Sequence, residues 1–245
     1  MENFRPVKNR APSSLIGKII FFGRMALDFQ ILTIFRDLKK KLPGFRGYVL
    51  DVGCGHSPYR FLLNPETTDY FGIDIVDAEK FDYANKEITP FNGREIPFSD
   101  EKFDCLICTE VLEHVYDFQV LIYEMRRVLK NNGIGIITIP WSARCHYIPY
   151  DFFRYTRSSL EKMFAEFSSV QIKSRGSDIS VIANKLIVLW MRNLLPKKLW
   201  KLIFFPFWLL LIPIPVFAVL TAHLSLLLDW GGTDDPLGFT ITVKK

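Results

Sequence analysis

A chain of 245 residues, 49% of them hydrophobic, is long enough for one sizeable α/β core with appendages. Its four cysteines give no disulfide framework, and the basic start lacks the short apolar core and cleavage site of a secretory leader, so a reducing cytoplasm is expected. The net charge of +5 is concentrated outside the middle of the chain: residues 1–41 hold nine Lys/Arg against three Asp/Glu and residues 176–201 five against one. Both stretches interleave charge with large apolar runs, which argues against a nucleic-acid partner.

After a Pro-containing start, Ser14 is placed to cap a helix running to about Leu42. In it Leu15, Ile19, Phe22, Met25, Phe29, Leu32 and Phe35 recur at spacings of three and four, with Lys18, Arg24 and Arg36 on the other face. Pro43 and Gly44 end it. A strand from Tyr48 to Asp51 then breaks into the loop Gly53-Cys54-Gly55. Glycines there permit backbone angles closed to other residues and let a ligand lie against the main chain. Pro58 stands where a dinucleotide loop would place its third glycine, so pyrophosphate binding is not expected. Asp74 ends the next apolar run, 23 residues after Asp51, a spacing suited to a carboxylate that receives ribose hydroxyls.

Further strands are predicted near 69–74, 87–91, 103–109 and 134–140. The clearest helix spans 117–130, with Asn131-Asn132-Gly133 as its stop. This alternation predicts a doubly wound, Rossmann-like α/β sheet. Residues 168–174 and 238–245 supply two more strands. Cys105 and Cys108 lie three apart in a strand and so face opposite sides of it. They cannot clasp one metal, and no metal is expected.

Four ordered segments extend the D-x-G-x-G-x-S loop: Arg94-Glu-Ile-Pro-Phe98, Phe103-Asp-Cys-Leu-Ile-Cys-Thr109, Glu110-Val-Leu-Glu-His114-Val, and Arg127-Val-Leu-Lys-Asn-Asn-Gly133. With Asp74, the set resembles the class I S-adenosylmethionine-dependent methyltransferases of type 11-like pattern. With the segment H-x-x-P-x-D-F-F-R-Y-T from His146 it is similar to bacterial members associated with surface glycans. The resemblance implies S-adenosylmethionine as cofactor and a seven-stranded sheet whose last strand is antiparallel. It places Asp51, Gly53, Cys54 and Gly55 beside the methionine portion, Asp74 and Ile75 at the ribose and ring face, Asn92 and Gly93 at the adenine, and Thr109 and Glu110 at the donor end of the fourth strand. Asn92 replaces the family's frequent aspartate, and its amide oxygen is expected to accept from the adenine amine. Two plainer readings stay open: Asp51 as an orienter of the loop, and Thr109 with Glu110 as a helix cap.

The segment after the fifth strand, from Pro140 to Thr156, should shape the acceptor side. His146 is the first candidate catalytic base and His114 the second. Asp151 and Arg154 are open to a purely scaffolding ion pair, with Thr156 or Ser158 starting the next helix.

From Leu202 to Leu228 there are 27 residues without Asp, Glu, Lys or Arg. Pro206, Pro213 and Pro215 interrupt them, and the chain must return to the same sheet. A shallow helical hairpin or an interfacial segment is therefore expected rather than a crossing. Trp190, Trp200, Trp208 and Trp230, with Arg192, Lys197, Lys198 and Lys201, suit a headgroup layer; burial against the chain's own domain or in a dimer is the alternative. The expected organisation is an N-terminal basic amphipathic helix (1–46), a methyltransferase core (47–178), a C-terminal hydrophobic, membrane-interacting helical insertion (179–232) and the last core strand (233–245). The protein is expected at the inner face of the cell membrane. The expected acceptor is lipid-like or lipid-linked, with a glycan hydroxyl foremost. Quinone precursors, phospholipids and a non-catalytic donor-binding assembly subunit are the alternatives.

Overall fold

The computed structural model describes residues 10–75, 88–194 and 198–245. Lys197, one of the cations expected at a headgroup layer, lies outside them. The elements are α1 (Leu15–Arg24), α2 (Phe29–Lys41), β1 (Gly47–Val52), β2 (Thr68–Ile75), β3 (Ile88–Phe91), β4 (Phe103–Thr109), α3 (Phe118–Val128), β5 (Leu129–Pro140), α4 (Arg157–Met163), β6 (Ser169–Arg175), α5 (Asp178–Leu194), α6 (Phe205–Leu210), α7 (Pro213–Leu228) and β7 (Gly238–Lys244).

Seven strands form one sheet in the order β3-β2-β1-β4-β5-β7-β6. The first five are mutually parallel, and β7 runs antiparallel between β5 and β6. The order reverses beside β1, so the carboxyl ends of β1, β2 and β4 open a crevice at the point where such sheets hold ligands. The central strands β1 and β4 are packed on both faces, as a parallel sheet requires. On one side Leu50, Val52, Leu106 and Cys108 meet Leu121 and Met125 of α3 and Leu160 and Phe164. On the other Val49, Cys105 and Ile107 meet Phe21, Met25, Ile34 and Leu38 of α1 and α2. Cys105 and Cys108 thus fall in opposite layers, as the strand period demands.

Three local readings are corrected. The predicted helix from Ser14 to Leu42 is two helices. Ser14 caps the first, its Oγ accepting from Gly17 N–H at 3.0 Å. Asp28 caps the second, accepting from Ile31 N–H at 3.2 Å while its other oxygen takes Arg24 Nη2 at 2.9 Å. The apolar spacing runs unbroken across the turn, with Phe21, Met25 and Phe29 all buried, so periodicity could not mark the break; the short acidic cap could. The helix before β5 stops at Val128, and Asn131-Asn132-Gly133 lies within β5. There the register against β4 jumps from Phe103 opposite Leu129 to Cys105 opposite Ile134. Asn132 takes a left-handed φ of 66°, so these residues form a bulge and not a helix stop.

α5 and α7 pack on α2 through Phe29, Val181, Ala183, Ile187, Ala222 and Leu237, and Trp190 Nε1 donates to Trp208 O at 2.8 Å. Trp190 therefore staples α5 to α6. Trp200 and Trp230 are exposed. Among the described residues no single helix is long and apolar enough to cross a membrane, although Asp178–Leu194 and Leu199–Leu210, bent by 114°, reach that length and apolarity as a pair.

Candidate functional site

A cavity of about 1770 Å³ opens at the strand tips and runs between α1, α2 and α5. Its floor is the β1 loop. Gly53 and Gly55 hold φ values of 67° and 52°, in the left-handed region that favours glycine. A Cβ on Gly53 would stand 2.5 Å from Val111 Cγ2, so the bare backbone is a steric requirement as well as a conformational one. Asp74, at the end of β2, accepts from Gly55 N–H and from its own neighbour Ile75 N–H, both at 2.8 Å. Burial pushes its carboxyl upward, and those two N–H groups pull it back. The loop and the β2 tip are thereby one unit.

Asp51 differs from its expected place. It is buried under the loop and does not line the cavity. The Tyr70 hydroxyl donates to its Oδ2 at 2.7 Å and lies 2.8 Å from Ser57 Oγ, while Asp51 Oδ1 has no partner. Burial lifts its pKa to about 7, against the hydrogen bond from Tyr70, and the charge of Asp74 lifts it further. Orienting the loop and supplying a negative charge beneath it are both open to this side chain. Cys54 lines the cavity, and burial pushes its thiol up, so it stays protonated.

Ile75, Asn92, Gly93, Thr109 and Glu110 share the same cavity. Asn92 is corrected in role: its Oδ1 already accepts from Arg94 N–H at 2.9 Å and Glu95 N–H at 2.8 Å. Both lone pairs are taken, which leaves the amide NH₂ as its free function, a donor suited to a ring nitrogen rather than an amine. Glu110 sits at a φ of 54°, and its Oε1 accepts from Arg175 Nη2 at 2.7 Å. Arg175 is 1% exposed; it also donates to Ile139 O and Phe239 O. Sequence reading missed Arg175 and Tyr70, since nothing local marks a strand cation or a strand tyrosine as a partner for carboxylates on other strands.

The opposite wall carries both histidines. His114 Nδ1 lies 2.7 Å from Tyr150 O and His146 Nδ1 3.0 Å from Arg144 O; a carbonyl only accepts, so each Nδ1 carries the proton. The two rings meet edge-on, 4.9 Å apart. Burial, aided by the charges of His146 and Arg154, pulls the His114 pKa down to about 4, so it is neutral and weakly basic at neutral pH. Asp151 pairs with Arg154 at 2.6 Å and accepts from His146 N–H at 2.9 Å, holding the loop. Thr156 caps α4.

Residues 50–137 match the family model described as a methyltransferase domain. An uncharacterized protein of Methanocaldococcus jannaschii is 32% identical over 120 residues, covering 47% of this chain and 52% of that one. The ubiquinone biosynthesis O-methyltransferase of Rickettsia typhi is 32% identical over 100 residues, covering 37% and 39%. The chain thus spans about half or less of the length of these curated relatives. A solved S-adenosylmethionine-dependent methyltransferase of Archaeoglobus fulgidus superposes with a TM-score of 0.55 over 93% of this chain and 99% of that one, at 16% identity. The chain therefore shares its fold with that solved S-adenosylmethionine-dependent methyltransferase.

Proposed function

We propose that this chain is a membrane-associated S-adenosylmethionine-dependent methyltransferase acting on a hydroxyl of a lipid-linked glycan or similar lipid-like acceptor. The observation that carries the enzymatic reading is the cradle of Gly53, Gly55 and Asp74, one continuous wall with Ile75, Asn92 and Gly93. It offers bare backbone, a carboxylate and an apolar face in the order an adenosyl group needs. The orphaned Asp51 oxygen below it favours a cationic ligand above. When bound, S-adenosylmethionine supplies an activated methyl on a sulfonium.

The chain's own part is placement. Gly53, Gly55 and Asp74 hold the donor end, Thr109 and Glu110 border it, and His146 and His114 meet the acceptor oxygen across the cavity. Holding two reactants in line accounts for several powers of ten in rate, and a positioned proton acceptor adds about 10²–10⁴.

The lipid-like acceptor is supported by the far end of the same cavity, where Ile31, Ile187 and Met191 line it. Outside the cavity, Leu15, Ile16, Ile19 and Ile20 of α1 and Ile203, Leu210, Phe217 and Leu220 near and on α6 and α7 are each 63% or more exposed. Apolar surface of that extent marks an interaction site; with Lys18, Arg24, Lys198 and Lys201 around it, an anionic membrane surface fits, at the cytoplasmic face. The partial match to a ubiquinone biosynthesis O-methyltransferase keeps a quinone precursor as the second acceptor class. Incubating the protein and methyl-labelled donor with a membrane extract tests the reading. Label is expected in a lipid-linked glycan fraction; label confined to quinones selects the second class, and label only in water-soluble material contradicts both.

A further inference from the structure

Glu113 is fully buried, and neither of its carboxyl oxygens has a hydrogen-bond partner. Its Oε1 lies 3.6 Å from His114 Nε2, too long for a hydrogen bond. That nitrogen bears a lone pair, because the Nδ1–H of His114 is engaged by Tyr150 O. His146 has its Nδ1 3.0 Å from Arg144 O and 3.5 Å from Arg154 Nη2. Two imidazoles and a carboxyl group each offer one ligand atom, and these atoms lie within 4.8 Å of one another. The neighbouring charges are already matched, Asp151 with Arg154 and Glu110 with Arg175. Glu113 lies near the Arg154 charge but makes no hydrogen bond to it.

We infer that Glu113, His114 and His146 form a binding site for a divalent ion of the zinc type at the acceptor end of the cavity. Two neutral imidazoles and one carboxylate are a ligand set of catalytic zinc, with a position left open for a substrate oxygen. Each imidazole already has the backbone carbonyl that commonly fixes a metal-bound histidine through its other nitrogen. Ligand bonds of about 2.1 Å require the three atoms to draw in to about 3.4 Å of one another. The cysteine spacing that excluded a metal elsewhere in the chain says nothing about this cluster.

The role of the ion rests on the methyl-transfer reading; the existence of the site does not. In that role the acceptor hydroxyl binds the ion through its oxygen, which acidifies it. The oxygen forms its bond to the methyl carbon as the carbon–sulfur bond breaks, the electron pair stays on sulfur, and the hydroxyl proton passes to water in the open cavity. His114 and His146 then act on the acceptor as ligands and not as free bases.

The 245-residue chain, stripped with chelator and titrated with Zn²⁺ at pH 8, tests the site. One equivalent is expected. Co²⁺ in its place should give visible absorption of a low-coordinate site. Glu113→Gln and His146→Asn should each weaken Zn²⁺ by about 10-fold or more while binding S-adenosylhomocysteine as the parent does, which shows that they are folded. Zn²⁺ uptake equal in parent and both variants, or none in the parent, overturns the site. Turnover unchanged by full removal of a bound ion overturns its role, and an ion bound by a protein with no affinity for donor would end the methyl-transfer reading while leaving the site standing.

Discussion

The tips of β1, β2 and β4 bury Asp51 and Asp74 to 4% and 9% exposure, whereas α1, α6, α7 and the turn before α6 leave Leu15, Ile203, Leu210 and Phe217 at 72% or more. The two regions are built on opposite rules. At the tips, polar groups are withdrawn from water and bonded to one another in a fixed pattern, which only a ligand of matching shape and charge can enter without penalty. At the helices, apolar groups stand in solvent with no fixed partner, which suits a surface that adapts. The first region reads a molecule; the second reads an environment.

That contrast is broken most severely by removing a buried charge at the tips. Arg175→Met strands Glu110 without its cation and is expected to destabilise the chain by about 3 kcal/mol, the low end for a broken buried pair because Glu110 is partly exposed. Urea unfolding followed by circular dichroism measures it; a loss under about 1 kcal/mol would show the pair to be incidental. Next comes Asp74→Asn, which weakens the tie to the Gly55 and Ile75 amides and removes the ribose acceptor charge. Donor affinity should drop about 100-fold, two charge-assisted hydrogen bonds being at stake. The helical region should respond in a different quantity. Ile16→Glu, Ile20→Glu and Phe217→Glu together should reduce sedimentation with anionic vesicles by about 10-fold or more, since each removes buried apolar area, while unfolding stability stays within about 0.5 kcal/mol per site. A triple variant that unfolds would mean these side chains are core in solution, as in a dimer.

The smallest effect is a pH dependence. The Asp51 pKa of about 7 lies well above its unfolded value. Its contribution to the stability of the free protein is therefore full below about pH 4 and lost as pH rises through 7. A cationic donor favours the ionised form, so donor affinity should be up to about 10-fold weaker at pH 6 than at pH 8. Asp51→Asn should flatten that profile, and an unchanged slope would place the charge elsewhere.

Much of this was legible before the fold. Gly53, Gly55 and Asp74 announce themselves because a turn chemistry and a strand-end carboxylate recur at fixed spacing, and strand alternation carries the sheet. The break at Asp28 was hidden because the apolar period continues across it, and the bulge at Asn132 because the same residues end helices. Asn92 looked like an acceptor until its oxygen was seen to serve two amides. Glu113, Arg175 and Tyr70 were invisible as a class: their roles come from groups brought to them by other strands and loops, and no local pattern records a partner that distant.

Titration calorimetry with S-adenosylmethionine and its demethylated product, on the parent chain and on Asp74→Asn, goes most directly to the cradle at the strand tips. The account predicts one site per chain for both ligands and the loss of most of that affinity in the variant. No heat of binding from a folded parent, or equal affinity in the two proteins, would contradict it.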